Sequence, residues 1–306
     1  MVLYSMNEVI IVKDLVKVYR NGIRANDGIS FTVNEGEVFG ILGPNGAGKT
    51  TLIKQLVGLL KPTRGFINVL GIDVVREPHR VKSLISLCPQ ETAIIGHLTV
   101  YEHLYYFARL KGLGRNEARE HVLRLIDDFG LKDHRNRLVG SLSKGLQRRV
   151  IVAQAFLGKP RIVFLDEPTT HLDPLGRHEV WDVINEYRKK GITLLLATHY
   201  MEEAEKLCDR IMFLNKGRIV TLGSVSDVKR VVGDYVKLRI PSSFLDIVSG
   251  SKGVVVTKHS LGYIEVIVPR DATLLRSIIN NLIERGAIFE LSTPSLEDVF
   301  IEVARK

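Results

Sequence analysis

Residues 43–50 limit what this chain can fold into more than any other part of its sequence. They read Gly-Pro-Asn-Gly-Ala-Gly-Lys-Thr and match G-x-x-x-x-G-K-[ST] at every position. A continuously apolar run, residues 38–42, precedes them, and an amphipathic stretch, residues 51–60, follows. One alternative is a glycine-rich turn that only joins a strand to a helix. The full match in this context favours a phosphate-binding loop, because its N–H groups and the helix dipole point at one place.

Each part of this loop has an expected role in binding a nucleotide. Its glycines allow the backbone to curl around phosphate oxygens. Lys49 is expected to bridge the terminal phosphates, and the Thr50 hydroxyl is expected to bind Mg²⁺. The predicted nucleotide-binding residues of this segment are Gly43, Pro44, Asn45, Gly46, Ala47, Gly48, Lys49, Thr50 and Thr51.

Two acidic residues end a second apolar run. Residues 162–165 read Ile-Val-Phe-Leu, and Asp166 and Glu167 follow them. A carboxylate at the end of a buried strand can orient Mg²⁺ through water, which is the role expected of Asp166. Glu167 is expected to take a proton from the attacking water. Alone, the pair could be a solvated turn; together with residues 43–50 it indicates a nucleotide hydrolase.

Short apolar runs alternate with helical patterns, which predicts an α/β fold. Because the runs are apolar throughout, they are expected to be strands of a mainly parallel sheet covered on both faces. A helical insertion is predicted at about residues 91–157. The pattern changes after Ser224, so we predict one domain of residues 1–224 and a small α/β domain of residues 225–306. The second domain has predicted strands at 235–240, 253–258, 263–268 and 288–291, and predicted helices at 273–285 and 295–305.

The composition excludes several classes of protein. The 306 residues are 45% hydrophobic and 25% charged, which is typical of a globular chain with a buried core. No apolar run approaches the ~18–20 residues of a membrane-spanning helix, and residues 1–14 lack the pattern of a secretory signal. Two cysteines, Cys88 and Cys208, exclude a disulfide framework and a cysteine-rich metal site. The net charge of +9 suits an anionic ligand, an anionic lipid surface or nucleic acid.

Further motifs follow one another in a fixed order. Gln90 follows an apolar run, residues 142–145 read Leu-Ser-Lys-Gly, residues 171–173 read His-Leu-Asp, and His199 ends another apolar run. A lone glutamine or histidine is more often structural than functional. With the ordered set, residues 8–224 resemble the ATP-binding subunits of ABC transporters.

This resemblance implies a role for each motif. Gln90 is the Q-loop glutamine, His199 is the switch histidine, residues 142–145 are the signature motif and residues 172–173 are the D-loop. Tyr19 lies where the family stacks an aromatic ring on adenine. The resemblance also implies ATP and Mg²⁺ as cofactors, the catalytic residues Glu167, His199 and Gln90, and the Mg²⁺ ligands Thr50, Gln90 and Asp166.

The signature motif departs from the common form Leu-Ser-Gly-Gly-Gln. Lys144 replaces the first glycine, and Leu146 stands in place of the glutamine. Ser143 and Gly145 remain, and the resemblance implies that their hydroxyl and N–H groups bind the γ-phosphate held by another subunit. One chain carries one copy of each motif. The resemblance therefore implies either a homodimer or a heterodimer with a homologous ATPase subunit.

An integral membrane permease subunit is the second partner that the resemblance implies. Residues 91–97 lie where the family contacts its membrane subunits; Ile94 and Ile95 suit either this docking or ordinary core packing. Residues 225–306 look like the domain appended to ATPase subunits of type-2 exporters. This favours export, driven by a peripheral protein on the cytoplasmic face of the membrane.

The alternative function is that of an ABC ATPase that works on ribosomes or nucleic acid instead of a transporter. Ribosome-type members usually carry two ATPase modules, and chromosome-type members carry long coiled-coil insertions. This sequence has one phosphate-binding loop and no sustained heptad repeat. No dense basic tract is interleaved with aromatic residues, so no nucleic-acid partner is expected.

Overall fold

The chain divides into two units, Met1–Leu222 and Gly223–Lys306. The computed structural model describes residues 7–91, 93–230, 235–249, 253–260, 262–293 and 295–298. The domain boundary expected after Ser224 stays a prediction. None of the described helices is long and apolar enough to cross a membrane.

A mainly parallel sheet forms the centre of the first unit. Its strands are β3 (Val38–Leu42), β6 (Ile85–Cys88), β7 (Ile162–Asp166), β8 (Thr193–Thr198), β9 (Arg210–Asn215) and β10 (Arg218–Ser224), in the order β10-β9-β3-β8-β7-β6. The pairs β3–β8, β3–β9, β6–β7 and β7–β8 are parallel. Along β7, Val163 and Leu165 join one hydrophobic cluster, whereas Ile162 and Phe164 join another. The sheet is therefore covered on both faces, and the predicted α/β fold is confirmed.

An antiparallel sheet that the sequence analysis did not predict lies beside this core. It comprises β1 (Glu8–Val18), β2 (Arg24–Asn34), β4 (Arg64–Val69) and β5 (Ile72–Asp73), in the order β2-β1-β4-β5. Its apolar residues pack into the cluster that also contains residues of β3 and of the helix that follows the phosphate-binding loop.

Seven α-helices of the first unit fall among the described residues. They are α1 (Lys49–Leu56), α2 (Pro78–Leu84), α3 (Val100–Leu110), α4 (Arg115–Asp128), α5 (Lys144–Ala155), α6 (Pro174–Lys189) and α7 (Met201–Leu207). Helix α1 is shorter than the predicted stretch 51–60, because Gly58 at φ 69° follows its last turn. Helices α3, α4 and α5 occupy the segment predicted to be helical. Thr99 and Glu102 start α3 with a reciprocal pair of capping hydrogen bonds.

The second unit is built on its own antiparallel sheet and core. The strands are β11 (Tyr235–Pro241), β12 (Val255–Ser260), β13 (Tyr263–Pro269) and β14 (Glu290–Ser292), in the order β12-β13-β11-β14. Its helices are α8 (Val225–Arg230), α9 (Leu245–Val248) and α10 (Ala272–Glu284). The strand predicted at 288–291 begins instead at Glu290. Most of the helix predicted at 295–305 lies outside the described residues.

Candidate nucleotide-binding site

The phosphate-binding loop connects β3 to α1 and requires glycine at two positions. Gly48 has φ 106°, and a Cβ atom there would lie 2.3 Å from the carbonyl oxygen of Ala25. A Cβ atom on Gly43 would lie 2.2 Å from the carbonyl oxygen of Leu214. Any other residue would displace the backbone at either position. The loop therefore has the close-packed shape that a phosphate cradle needs.

Glu167 brings three of the predicted site residues together. Its Oε1 lies 3.3 Å from Nζ of Lys49, and its Oε2 lies 2.6 Å from Nδ1 of His199. Lys49 and Glu167 are buried, whereas the His199 side chain is 36% exposed. Lys49 Nζ also donates to the carbonyl oxygens of Gly43, at 2.8 Å, and Pro44, at 3.3 Å.

The backbone of Glu167 is strained. Its φ of 53° lies in the left-handed region, which costs a residue with a side chain about 1–3 kcal/mol. Its N–H donates to the carbonyl oxygen of Ala197 on β8, at 2.8 Å. This contact and the two side-chain contacts hold the carboxylate beside the loop, where a bound phosphate would lie.

Asp166, Thr50 and Gln90 form a second group of oxygen atoms. Burial raises the pKa of the Asp166 carboxyl; a hydrogen bond from Thr50 lowers it, and the charge of Glu167 raises it. Oδ1 of Asp166 is buried and has no hydrogen-bond partner. The Thr50 hydroxyl lies 3.3 Å from Oε1 of Gln90. A hydroxyl, an amide oxygen and one carboxylate are thus gathered at the end of β7.

This group differs from the metal sites built by histidine, cysteine and carboxylate residues. Within the described part of the chain, no cluster of three such side chains is placed to hold a metal ion. Oxygen ligands of mixed type together with water are what Mg²⁺ uses when it is bound beside phosphates. The three oxygen-bearing side chains therefore fit a magnesium ion that a nucleotide brings with it.

Tyr19 stands at the outer end of the site. Its hydroxyl lies 3.2 Å from the Thr51 hydroxyl, and its side chain is 37% exposed. An open cavity of about 620 Å³ is lined by Tyr19, residues 44–51, Gln90 and Glu167. The structure thus brings the predicted tyrosine, phosphate loop, glutamine and glutamate to one cavity.

Several residues that support or line this cavity were missed from the sequence. Asn26 donates to the carbonyl oxygen of Gly48 at 3.3 Å and accepts from Nε2 of Gln55 at 2.6 Å, and both side chains are fully buried. Arg24 and Lys216 add cationic side chains to the cavity wall. No local motif marks these residues, because they come from β2, from α1 and from the turn before β10.

The described residues that line this cavity do not include Ser143 or Gly145. Ser143 is the N-cap of α5 and accepts from the N–H of Leu146 at 3.3 Å. A Cβ atom added to Gly145 would lie 3.4 Å from the carbonyl oxygen of His171, so the signature motif packs beside the D-loop. The exposed side chain of Ser143 and the N-terminus of α5 are open to a ligand held elsewhere.

The predicted docking residues differ in their surroundings. Ile94 is half-buried and packs against the helical core. This contact agrees with ordinary core packing, the alternative to docking on a membrane subunit. Ile95 is 36% exposed.

Comparison with known proteins identifies the family of the chain. Residues 26–170 match the ABC transporter family. The daunorubicin/doxorubicin resistance ATP-binding protein DrrA of Streptomyces peucetius is 44% identical over 227 residues, which are 74% of this chain and 68% of that protein.

Two solved structures share the fold. The protein cbiO1 from Clostridium perfringens, part of the ABC transporter complex cbiONQ, is 29% identical with a TM-score of 0.67, over 74% of this chain and 93% of that one. A dimeric ATP-binding cassette in a post-hydrolysis state, bound to ADP and phosphate, is 26% identical with a TM-score of 0.66, over 70% of this chain and 98% of that one.

The fold and the phosphate-binding loop define a P-loop ATPase. The chain belongs to the ABC transporter family, as an ATP-binding subunit whose ATP hydrolysis is coupled to transport. The predicted family, the binding of ATP and the ATPase activity are confirmed. The ribosome or nucleic-acid alternative is not supported.

Proposed function

We propose that this chain hydrolyses ATP in a site shared between two subunits and uses the cycle to drive export through a separate permease. The observation that carries the proposal is the position of the Glu167 carboxylate. It contacts Lys49 of the phosphate loop on one side and His199 on the other. This contact supports a proton acceptor beside the residue that is proposed to bind phosphate.

Residues 43–51 are proposed to hold the phosphates, with Tyr19 stacking on the adenine ring. Lys49 supplies a cation at the β- and γ-phosphates. Its ammonium group donates hydrogen bonds to the carbonyl oxygens of Gly43 and Pro44, and these bonds fix its position. A fixed cation stabilises developing charge without reorganisation during the reaction.

Thr50, Asp166 and Gln90 are proposed to hold Mg²⁺. The buried Oδ1 of Asp166, which has no hydrogen-bond partner, supports this, because a cation near it would offset the cost of burying the carboxylate. When bound, Mg²⁺ would neutralise charge on the phosphate oxygens. The Thr50 hydroxyl and the Gln90 amide oxygen, which lie 3.3 Å apart, would supply two further oxygen ligands.

Glu167 is proposed to be the general base, and His199 to orient it. The imidazole lies 2.6 Å from Oε2, so it fixes the direction of the carboxylate. Nε2, the other ring nitrogen of His199, would donate to the γ-phosphate when it carries a proton. Water attacks the γ-phosphate while Glu167 accepts its proton, giving ADP and phosphate.

A second subunit is proposed to complete the site with Ser143 and Gly145. Among the described residues, neither Ser143 nor Gly145 lines the cavity of its own chain, and the N-terminus of α5 is open. Both observations support a site that is completed by a second subunit. Charge-assisted hydrogen bonds of about 1.5–3 kcal/mol each would let one γ-phosphate hold two subunits together. Hydrolysis would remove these bonds and release the subunits.

The client of this ATPase is proposed to be an integral membrane permease that exports its substrate. The 44% identity to a drug-resistance ATP-binding protein supports export, and the likeness to a subunit of a transporter complex supports the permease partner. The chain would then act at the cytoplasmic face of the membrane. The partner ATPase is either a second copy of this chain or a homologue.

The shared site is tested by the oligomeric state of the Glu167→Gln variant. This change removes the base and keeps the shape of the side chain, so Mg·ATP should accumulate in a closed dimer. We expect a dimer in size exclusion with light scattering when Mg·ATP is in excess, and a monomer with Mg·ADP. Glu167→Gln/Lys49→Ala is the matched control and should stay monomeric. A Glu167→Gln protein that stays monomeric with excess Mg·ATP would refute the shared site.

The permease is tested separately by detergent extraction of the chain from its own membranes. A polytopic protein without an ATPase domain should co-purify. Recovery with ribosomes or nucleic acid after nuclease and high-salt treatment would contradict the transporter assignment, and would leave the ATPase assignment intact.

A further inference from the structure

Arg148 is among the largest side chains that the described fold buries completely, with 1% exposure. It lies on α5, the helix that begins with the signature motif. Each of its five N–H groups donates to a backbone carbonyl oxygen. The acceptors are Pro89 at 2.6 Å and Gln90 at 3.2 Å for Nη1, Asp166 at 2.7 Å and Glu167 at 2.8 Å for Nη2, and Pro168 at 3.0 Å for Nε.

These five acceptors are unusual partners for a buried cation. Burying a charge is costly unless hydrogen bonds replace its water, and buried cations are normally paired with carboxylates. Here the guanidinium fork is satisfied entirely by carbonyl oxygens of two chain segments, 89–90 and 166–168. An apolar side chain of similar volume would leave these five carbonyl oxygens without the donors that Arg148 supplies. The five donors and the choice of acceptors indicate that Arg148 holds these two segments together.

The two segments are the ones that carry the chemistry. Residues 89–90 hold Gln90, and residues 166–168 hold Asp166 and Glu167. Arg148 lies five positions after Ser143, which is about 7.5 Å along a helix that rises 1.5 Å per residue. The Arg148 side chain and less than two turns of α5 thus connect the signature motif to the segments that carry the proposed base and the proposed Mg²⁺ ligands.

We infer that Arg148 is a positioning residue that links the chain's own nucleotide site to the signature motif it presents to its partner. The inference rests on the shared site proposed above. Nucleotide that fixes Gln90 and Asp166 also fixes their carbonyl groups, and Arg148 carries this restraint to α5. Each subunit therefore presents Ser143 and Gly145 correctly only when its own site is ordered.

Lysine cannot replace arginine in this role. Its ammonium group has three donors at one point, whereas the guanidinium has five donors in a planar fork. Arg148→Lys therefore keeps the charge and most of the volume but loses the simultaneous contact with both segments. No N–H group of Arg148 is bonded to the phosphate loop, so nucleotide affinity of the monomer should be retained.

The test measures ATP-dependent dimerisation of Arg148→Lys in the Glu167→Gln background. We expect at least a tenfold higher dimer dissociation constant with Mg·ATP, while the monomer binds Mg·ADP within about twofold of the Glu167→Gln parent. Arg149→Lys is the matched control, because Arg149 is the next residue on α5 and pairs with Glu179 of α6 instead. It should dimerise as the parent does. Arg148→Gln, which keeps two donors and no charge, is the second variant and should behave as Arg148→Lys.

The outcomes separate this inference from the proposed function. If Glu167→Gln itself stays monomeric, the proposed shared site is refuted, and the proposed role of Arg148 is refuted with it. If Glu167→Gln dimerises and both Arg148 variants dimerise as tightly, only the inference on Arg148 is overturned. Equal losses of ADP affinity and dimerisation would also overturn it, since the residue would then support the whole site. Loss of the melting transition in both Arg148 variants would overturn it as well, because Arg148 would be a stability residue.

Discussion

The ion pair between Lys49 and Glu167 makes a quantitative prediction about stability. Both side chains are almost fully buried, with exposures of 6% and 4%. Removing one partner of a buried pair costs about 3–5 kcal/mol, because the other charge stays buried without compensation. Lys49 keeps the carbonyl oxygens of Gly43 and Pro44, so we expect the lower end of this range for Glu167→Gln.

This cost should be visible as a lower melting temperature of the nucleotide-free protein. At ~2–4 °C per kcal/mol for a unit of this size, a loss of about 3 kcal/mol lowers the Tm by roughly 6–12 °C. Phosphate replaces the lost negative charge beside Lys49. Saturating ADP should therefore stabilise Glu167→Gln more than the wild type, and the difference between the two proteins should shrink.

Differential scanning calorimetry with and without ADP measures both effects. ADP lacks the γ-phosphate proposed to join subunits, so dimerisation does not contribute. Glu202→Gln is the control; it lies on the exposed side of α7 and should change stability by less than about 0.5 kcal/mol. An unchanged Tm for Glu167→Gln, or an equal response of both proteins to ADP, would refute the reasoning.

Three further predictions concern single side chains. Tyr19→Ala should weaken ATP binding by about fivefold or more, because stacking on a base contributes about 1–3 kcal/mol. Tyr19→Phe should bind normally in a fluorescent-nucleotide titration, and equal affinity of Tyr19→Ala would contradict the stacking. Ser143→Ala should lower the free energy of unfolding by about 1 kcal/mol through loss of the N-cap, whereas Ser143→Gly should lower it by only a few tenths of a kcal/mol. Both variants should fail to dimerise with Mg·ATP in the Glu167→Gln background. A tight Ser143→Gly dimer would exclude the hydroxyl from the interface. Burial lowers the pKa of His103, so the unfolded chain binds a proton below pH ~6.5 that the folded chain does not. Stability should therefore fall as the pH drops from 7 to 5, and His103→Leu should reduce this slope in thermal melts; an unchanged slope would contradict the assignment.

The chemistry at the phosphate loop could be predicted because each motif is local. Residues 43–50 predict a phosphate cradle from consecutive positions, and the apolar run before Asp166 indicates a buried strand by itself. The sequence cannot show that Glu167 lies between Lys49 and His199. Glu167 and His199 directly follow two different strands, β7 and β8, whereas Lys49 is the first residue of α1 after the loop that follows β3. Only the order of the sheet brings the three together.

The sheet formed by β1, β2, β4 and β5 was missed for a physical reason. Strand β1 pairs with both β2 and β4, and its register shifts between Val12 and Leu15. The irregularity breaks the alternation of apolar and polar residues that marks a strand exposed on one face. The burial pattern of β1 accordingly contains runs of consecutive buried residues instead of alternation.

Buried polar residues were the other feature that could not be predicted from the sequence. Arg148 and Glu203 belong to types that are mostly exposed, and composition assigns such residues to the surface. Glu203 is fully buried because it accepts from the Thr169 hydroxyl at 2.8 Å and the Trp181 indole N–H at 3.1 Å. Those donors lie 34 and 22 residues away. Tertiary partners at such separations leave no periodic signal in the sequence.

The shared site is tested most directly by mixing two inactive chains. Lys49→Ala disables the phosphate loop, and Ser143→Arg blocks the signature motif, so each protein alone should have no ATPase activity. In a mixed dimer, one site combines the intact loop of the Ser143→Arg chain with the intact signature of the Lys49→Ala chain. An equal mixture should recover about one quarter of the wild-type activity, since half the dimers are mixed and each has one working site of two. A mixture that stays inactive although the two chains associate, or a Ser143→Arg protein that is fully active alone, would contradict the shared site.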